Sequence, residues 1–224
     1  MYQAPHSPSA LTLSGMGLDD DTPFRPEKLP DGLQAEYYLL FFAILPPTEV
    51  AHLASRTAQE LRAQHRLPKS AMPIERLHVT VQPVCTFSEM LEGHKLRRVL
   101  EIATDVAAGC QPLPLRFNRV GSMGRHAPSA LALKGDAATK RALADLTTPL
   151  AQALQRDGFI EFERGGSVPH MTLVYGTKLI AQQPITPIEW LADRLVLLVS
   201  HRGCGHYERL GAWPLRGAVA PGLF

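Results

Sequence analysis

The sequence has too few cysteines to be cross-linked by disulfides or to hold a thiolate metal site. Its three cysteines, Cys85, Cys110 and Cys204, are an odd number without Cys-x-x-Cys spacing, whereas both kinds of site need paired or closely spaced thiols. His201 and His206 flank Cys204, but that segment offers no evident fourth ligand for zinc. We therefore expect free thiols, no metal and no cofactor.

The sequence also lacks the features of membrane, secreted and nucleic-acid-coating proteins. No apolar run approaches the roughly 20 residues of a membrane-spanning helix, and residues 1–36 contain no basic region followed by an apolar run. The net charge of +2 suits an anionic ligand but is too small for a general nucleic-acid coat. We expect a soluble, cytoplasmic monomer with no membrane partner.

The pattern of apolar residues predicts helices spaced between strands. Order begins at the apolar run Tyr37–Leu45, after a proline-rich and acidic stretch that is typical of a flexible or surface-draped extension. Helices are predicted from Thr48 to about Arg66, from a cap at Ser88 to Gly109, and from Asp136 to Asp157; hairpins are predicted from Leu113–Val120 with Ser129–Lys134 and from Arg194–His201 with His206–Trp213. The order β-α-β-α-β-β-α-β-β-β indicates an α+β fold with mixed or antiparallel sheets.

Two short strand-like segments carry the same chemistry. Leu77–Val81 and Pro169–Leu173 each contain His-x-Thr between apolar residues. Because side chains alternate along a strand, His78 shares a face with Thr80, and His170 with Thr172. Each segment also follows an amphipathic helix by a similar interval, so a pseudo-twofold pair of lobes would bring the two copies face to face.

Two imidazoles and two hydroxyls in one cleft suit the cleavage of a phosphoester. One imidazole can accept a proton and the other can donate one, while the hydroxyls hydrogen-bond the phosphate oxygens. The sequence therefore predicts a phosphodiesterase.

These motifs, together with Phe41–Pro46 and the terminal Tyr207 and Trp213–Leu215, resemble the two-histidine phosphoesterase superfamily. Within it, the chain is similar to the bacterial RNA 2′,3′-cyclic phosphodiesterases, also called 2′-5′ RNA ligases. The resemblance covers about residues 37–215, which we take as one two-lobed domain between the extension 1–36 and a tail 216–224.

The resemblance implies a fold, a reaction and a role for each motif residue. The fold would be bilobal, with two antiparallel or mixed sheets facing a central cleft and helices packed outside. The reaction would be metal-independent hydrolysis of a 2′,3′-cyclic phosphate to a 2′-phosphate. His78 would protonate the departing 3′-oxygen, His170 would take a proton from water, and Thr80 and Thr172 would bind the non-bridging oxygens. No phosphate loop of the Gly-x-x-x-x-Gly-Lys-[Ser/Thr] type is present, so any 2′-5′ ligation would be the reverse of this chemistry.

The chain departs from the family pattern after its second motif. The family often has an arginine there, but this chain has Val174-Tyr175-Gly176, so the cationic contact is missing or comes from elsewhere. Tyr175 is a candidate substrate contact. Gln82 and Val174 continue the site faces of the two strands if no bulge intervenes, which makes Gln82 another candidate.

Two further groups of residues have both a binding and a structural interpretation. Arg116, Arg119, Arg125 and His126 surround a hairpin tip and would form a basic rim for RNA phosphates, although solvated loop charges are more frequent; we select Arg119 and Arg125. Phe41 or Phe42 would stack a terminal base, although an aromatic pair in an apolar strand is more often core; we select Phe42.

Other functions remain open on the same residues. The expected partners are RNA ends or small cyclic nucleotides. The alternative substrates are 2′-5′ oligoadenylate and a cyclic phosphate of ADP-ribose. A protein of another class, a non-catalytic module that binds RNA ends, would use the same cleft without turnover.

Overall fold

A computed structural model describes residues 22–159, 168–176 and 178–217. These residues form three α-helices and eight strands, in the order β-α-β-α-β-β-α-β-β-β-β, and two short 3-10 helical turns, Pro30–Gly32 and Ile74–Arg76. The elements are β1 (Tyr38–Ile44), α1 (Thr48–His65), β2 (Val79–Phe87), α2 (Gly93–Gly109), β3 (Leu113–Ser122), β4 (Ser129–Gly135), α3 (Ala137–Arg156), β5 (His170–Gly176), β6 (Gln183–Ala192), β7 (Arg194–His201) and β8 (His206–Pro214).

The strands form one sheet in the order β6-β3-β4-β5-β2-β1-β7-β8. Every neighbouring pair in it is antiparallel. Two four-stranded halves meet between β2 and β5, where the pairing is limited to Val79 opposite Met171. The predicted α+β class with an antiparallel arrangement is confirmed, and the two sheets expected from the resemblance are the two halves of this continuous sheet.

The three helices pack against the sheet and bury its apolar side chains. Helix α1 contacts β5 and β6, α2 contacts β7 and β8, and α3 contacts β2, β3 and β4. One continuous core contains buried residues from all three helices and from both halves of the sheet. A second, small cluster of Phe41, Ala43, Val196 and Leu198 is separate from this core, and it lies on the sheet face that carries the site described below.

The helix ends follow the local sequence except at α2. Asp136 caps α3 by accepting a hydrogen bond from the Thr139 backbone N–H at 2.8 Å. Helix α2 begins at Gly93 rather than near Ser88, because the preceding residues contact the N-terminal segment: Leu91 exchanges backbone hydrogen bonds with Phe24. Such a contact between distant segments leaves no local signal in the sequence.

Strand β6 is absent from the predicted element order. It contains Pro184 and Pro187, which weaken a strand pattern because proline cannot donate to a sheet ladder. The strand nevertheless pairs with β3 along most of its length. It lies at one edge of the sheet, which is where proline is tolerated.

The N-terminal extension, where described, lies against the β7–β8 hairpin. The Glu27 carboxylate contacts His206, and the Glu27 backbone N–H donates to the Glu208 carboxylate at 3.1 Å. The Glu36 N–H donates to the carbonyl of Arg202. The predicted extension and tail also include residues 1–21 and 218–224, which lie outside the described residues, so the domain boundaries remain predictions. None of the helices in the described ranges is long and apolar enough to cross a bilayer.

Candidate active site

The junction between the two halves of the sheet brings the two His-x-Thr motifs together. Val79 lies between His78 and Thr80, and Met171, its partner across the sheet, lies between His170 and Thr172. Because the two strands are antiparallel, His78 lies opposite Thr172, and Thr80 lies opposite His170. All four side chains line one cavity of about 140 Å³.

Both imidazoles are oriented by the same backbone contact. His78 Nδ1 lies 2.8 Å from the carbonyl oxygen of Arg76, and His170 Nδ1 lies 3.0 Å from that of Val168. A carbonyl oxygen only accepts, so each Nδ1 carries a hydrogen and donates it. Nε2 is then the ring atom of each histidine that can take up or release a proton in catalysis.

Burial is the main reason why the pKa of His78 is lower than its ordinary value. The hydrogen bond to the Arg76 carbonyl acts in the opposite direction, and the positive charges of His170 and Arg76 lower the pKa further. Without a ligand, the neutral form of His78 is therefore favoured over the imidazolium.

Each motif is followed by an extra residue that reverses the alternation of its strand. The register shifts at Val81 in β2 and at Leu173 in β5, each directly after the motif threonine. As a result Pro83 and Tyr175 line the cavity. Gln82 is buried and its amide donates to the Pro83 carbonyl at 2.9 Å, and Val174 lies in the core. The placement of Gln82 and Val174 on the site face is thus corrected, because a bulge exchanges the two faces of a strand.

The two phenylalanines of β1 lie on opposite faces of the sheet. The Phe41 ring lies 5.3 Å from the His78 ring and 5.8 Å from that of Tyr207, and it lines the cavity. Phe42 is fully buried in the core against Trp213. This corrects the selection of Phe42, which does not reach the cavity. Phe41 is the aromatic residue that does.

Two arginines that the sequence analysis did not select line the cavity. They are Arg76 and Arg202, and none of the described residues that line the cavity is acidic. The Arg76 guanidinium lies 5.3 Å from the centroid of the Tyr207 ring, and its Nε is buried without a hydrogen-bond partner. Arg76 ends the 3-10 helical turn Ile74–Arg76 just before β2, so strand alternation gave no signal for it.

Gly205 leaves room for Arg76. A Cβ at this position would lie 2.9 Å from Arg76 Nη1, and its φ of +68° is one that side-chain-bearing residues rarely adopt. The turn between β7 and β8 therefore needs glycine here. It lies directly before the strand that supplies Tyr207.

The predicted basic rim is not assembled at the cavity. Arg116 forms ion pairs with Asp136 and Glu189, while Arg125 and His126 are exposed in the β3–β4 loop. In the sheet, Arg119 of β3 lies directly opposite Lys134 of β4, and Lys134 lies directly opposite His170 of β5. Since directly opposed residues share a face, Arg119 lies two strands from His170 on the site face, although it does not line the cavity itself.

The described residues contain no group of three or more His, Cys, Asp or Glu side chains that could hold a metal ion. His201 lies 3.5 Å from the Glu208 carboxylate, and His206 contacts Glu27. The three cysteines are free, and burial raises the pKa of Cys85 to about 11, which keeps that thiol protonated.

Comparisons with known proteins identify a family from the sequence and similar folds among solved structures. A family model described as the 2′-5′ RNA ligase superfamily matches residues 46–203. The crystal structure of TT0787 from Thermus thermophilus has a TM-score of 0.66 at 18% identity and covers 80% of this chain and 99% of that chain. E. coli LigT complexed with 3′-AMP has a TM-score of 0.63 at 22% identity, again covering 80% of this chain and 99% of that chain. No curated protein matches this chain in sequence.

Proposed function

Because this chain belongs to the 2′-5′ RNA ligase superfamily, one of the two-histidine phosphoesterases, we propose that it hydrolyses a 2′,3′-cyclic phosphate to a 2′-phosphate. The substrate is an RNA end or a small nucleotide, and the reaction uses no metal. The observation that carries this proposal is the convergence of two His–Thr pairs on one cavity lined by Arg76 and Arg202. We place the reaction in the cytoplasm and assign it to a monomer.

In the proposed mechanism the two histidines act on opposite sides of the phosphorus atom. His170 Nε2 takes a proton from a water molecule as the water oxygen attacks the phosphorus. The bond between phosphorus and the 3′-oxygen breaks, and His78 Nε2 donates a proton to that oxygen. The products are a 2′-phosphate and a free 3′-hydroxyl, and solvent returns the proton from His170 to His78.

The remaining polar groups of the cavity stabilise the charge on the phosphate. Thr80 and Thr172 donate hydrogen bonds to its non-bridging oxygens, and Arg76 and Arg202 offset the negative charge that increases in the transition state. A bound phosphate anion also opposes the effects that lower the pKa of His78. Substrate binding therefore favours the protonated form that an acid catalyst needs.

The test is the conversion of adenosine 2′,3′-cyclic phosphate, followed by phosphorus NMR. The wild-type protein should produce 2′-AMP, with or without EDTA. His78→Ala and His170→Ala should each lower the rate by about 10²–10⁴-fold, as expected for the loss of a general acid or base. Arg141→Met, which changes an exposed residue of α3, is the matched control. Full activity in both histidine variants, or loss of activity in EDTA, would contradict the proposal.

We also propose a second group of candidate substrates for the same cleft. LigT has been solved with ATP and with NADP+, so that relative accepts adenine nucleotides with several phosphates. This favours testing 2′-5′ oligoadenylate and ADP-ribose cyclic phosphate in the same assay. A non-catalytic RNA-end-binding module would bind these ligands and yield no product. The presence of all four motif residues in one cavity supports the enzyme instead.

A further inference from the structure

A second cavity, of about 420 Å³, lies where β6 leads into β7. One wall is formed by residues 45–47 at the end of β1, and another by residues 190–194 of the β6–β7 link. Val196 and Arg209 complete the lining. No step of the proposed reaction uses this cavity.

The second cavity lies on the same sheet face as the active site. Side chains alternate along β7, so Arg194, Val196, Leu198 and Ser200 share one face. Ser200 and Arg202 line the active-site cavity, whereas Arg194 and Val196 line the second one. Val196 and Ser200 are four residues apart, which corresponds to about 13 Å along a strand.

A buried apolar cluster lies between the two cavities. Val196 belongs to the small cluster on the site face that also contains Phe41 and Leu198, and Phe41 lines the active-site cavity. In the second cavity the surface is continued by Leu45, by prolines and by Leu191, which is 60% exposed. The exposed Leu191 and the partly exposed prolines of this cavity suit contact with the apolar face of a ribose or a base.

The charges in the second cavity are mainly positive. Burial lowers the pKa of Arg209, and the charge of Arg194 lowers it further, so the two guanidinium groups are close enough to repel each other. Across the ranges that the structure describes, neither arginine forms a side-chain hydrogen bond or an ion pair. Asp193 is the one acidic residue that contributes to the lining.

We propose that Arg194 and Arg209 bind a second phosphate of the substrate while the first is held between His78 and His170. Arginine is suited to this role, because its planar fork forms paired hydrogen bonds with phosphate oxygens. A cyclic mononucleotide has one phosphate and leaves this cavity empty. The preferred substrate therefore carries at least two phosphates, as an oligoribonucleotide end and an ADP-ribose cyclic phosphate both do. This inference rests on the proposed function.

The first test compares kcat/KM for substrates with one and with several phosphates. The panel is adenosine 2′,3′-cyclic phosphate, oligoadenylates of two to four nucleotides with a 2′,3′-cyclic phosphate end, and ADP-ribose cyclic phosphate. The wild-type protein should prefer a substrate with several phosphates by about tenfold or more, the effect of one charge-assisted contact. In the double variant Arg194→Met with Arg209→Met this ratio should fall toward one, and Arg141→Met should retain it. Preference for the oligoadenylates or for the ADP-ribose compound identifies the source of the second phosphate.

The second test measures binding without turnover. A fluorescent oligoadenylate ending in a 2′-phosphate is titrated at several salt concentrations and followed by anisotropy. Each lost phosphate contact should reduce the slope of log K against log salt by about 0.7, so the double variant should show a shallower slope than the wild type and Arg141→Met. Either single variant provides the same comparison if the double variant does not fold.

The outcomes separate this inference from the proposed function. Equal salt slopes and equal substrate ratios in the wild type and the double variant would overturn the inference, even if the wild type hydrolyses cyclic phosphates. A slope that depends on the two arginines, in a protein that hydrolyses no member of the panel, would support the second site and contradict the proposed reaction.

Discussion

The histidines of the two motifs, His78 and His170, receive their orientation from carbonyl groups two positions earlier in the chain. The carbonyl of Arg76 belongs to a 3-10 helical turn, whereas Val168 lies outside any helix or strand, so the same contact arises from two different local structures. The orientation of each ring, and so the position of its Nε2 atom, is therefore fixed by a backbone carbonyl and not by a carboxylate. What differs between the two rings is their surroundings, since Arg76, Phe41 and Tyr207 all lie close to His78.

The lowered pKa of His78 should be visible in the ligand-free protein. NMR titration should give a value below the ordinary 6.5, and His170→Asn should raise it, because the charge of His170 is one of its causes. Added inorganic phosphate should raise it as well. A pKa of His78 at or above 6.5 without ligand would contradict this prediction.

The same shift makes stability depend on pH. Because the folded state binds the His78 proton less tightly than the unfolded state, protonation favours unfolding. The contribution of His78 to the free energy of unfolding is fully present above its pKa in the unfolded chain, about 6.5. This contribution is lost as the pH falls through the lower pKa that His78 has in the folded protein. Denaturant unfolding between pH 5 and 7.5 should show a flatter dependence in His78→Gln than in the wild type.

Arg76 is expected to be the main cation for the phosphate in the active site. Arg76→Met should lower kcat/KM for adenosine 2′,3′-cyclic phosphate by about 10–100-fold, the effect of losing one charge-assisted hydrogen bond. Lysine should restore part of the loss, since it keeps the charge but not the planar fork. Steady-state kinetics beside Arg141→Met measures both. A wild-type rate in Arg76→Met would assign the phosphate contact to Arg202 or to the threonines alone.

The bulges after the two motifs determine which side chains of β2 and β5 face the substrate. Strict alternation predicts Gln82 and Val174, whereas the observed strands present Pro83 and Tyr175. An extra residue in a strand has no reliable signature in a single sequence, since it depends on the pairing of the neighbouring strand. The motifs themselves were predictable because the shift occurs only after each threonine.

Tyr175 and Phe42 should respond in opposite ways to truncation. Tyr175 is 50% exposed at the cavity, and Phe42 is fully buried. Tyr175→Ala should weaken substrate binding and change the free energy of unfolding by less than about 0.5 kcal/mol. Phe42→Ala should cost about 3–5 kcal/mol of that free energy. Denaturant unfolding and KM measured on both variants provide the check, and a large stability loss in Tyr175→Ala would contradict the placement.

The two halves of the whole sheet are joined by little direct strand pairing, although the helices and one continuous core span both. The candidate active site lies at this junction, with His78 and Thr80 from one half and His170 and Thr172 from the other. A phosphate bound there adds contacts across the junction. Ligand binding and global stability are therefore coupled.

A product that fills the site should stabilise the folded protein against heat. At a 2′-AMP concentration of 100 times Kd the gain is about 2.7 kcal/mol, which corresponds to roughly 5–10 °C in Tm for a chain of this size. Scanning calorimetry should show this shift in the wild type and in Arg141→Met. It should be much smaller in His78→Ala and in His170→Ala, and a shift that persists in both would place the product elsewhere.

Contacts between distant segments limit what the sequence alone could predict for the whole molecule. Periodicity indicated the three helices and most strands, and the duplicated motif indicated the candidate catalytic residues. Tyr207 and Arg202 join the site only because the β7–β8 hairpin approaches the start of β2, where Arg76 contacts the Tyr207 ring. That approach is set by the packing of the complete sheet and not by any local pattern.

The prolines of β6 affect how copies of the protein meet one another. An outer strand with a full row of free N–H groups is a template on which a strand of another molecule can add, which leads to aggregation. Pro184 and Pro187 lack N–H groups and interrupt any such row. The residues that concealed β6 in the sequence thus reduce the tendency of this sheet to extend into a neighbour, which favours solubility at high concentration.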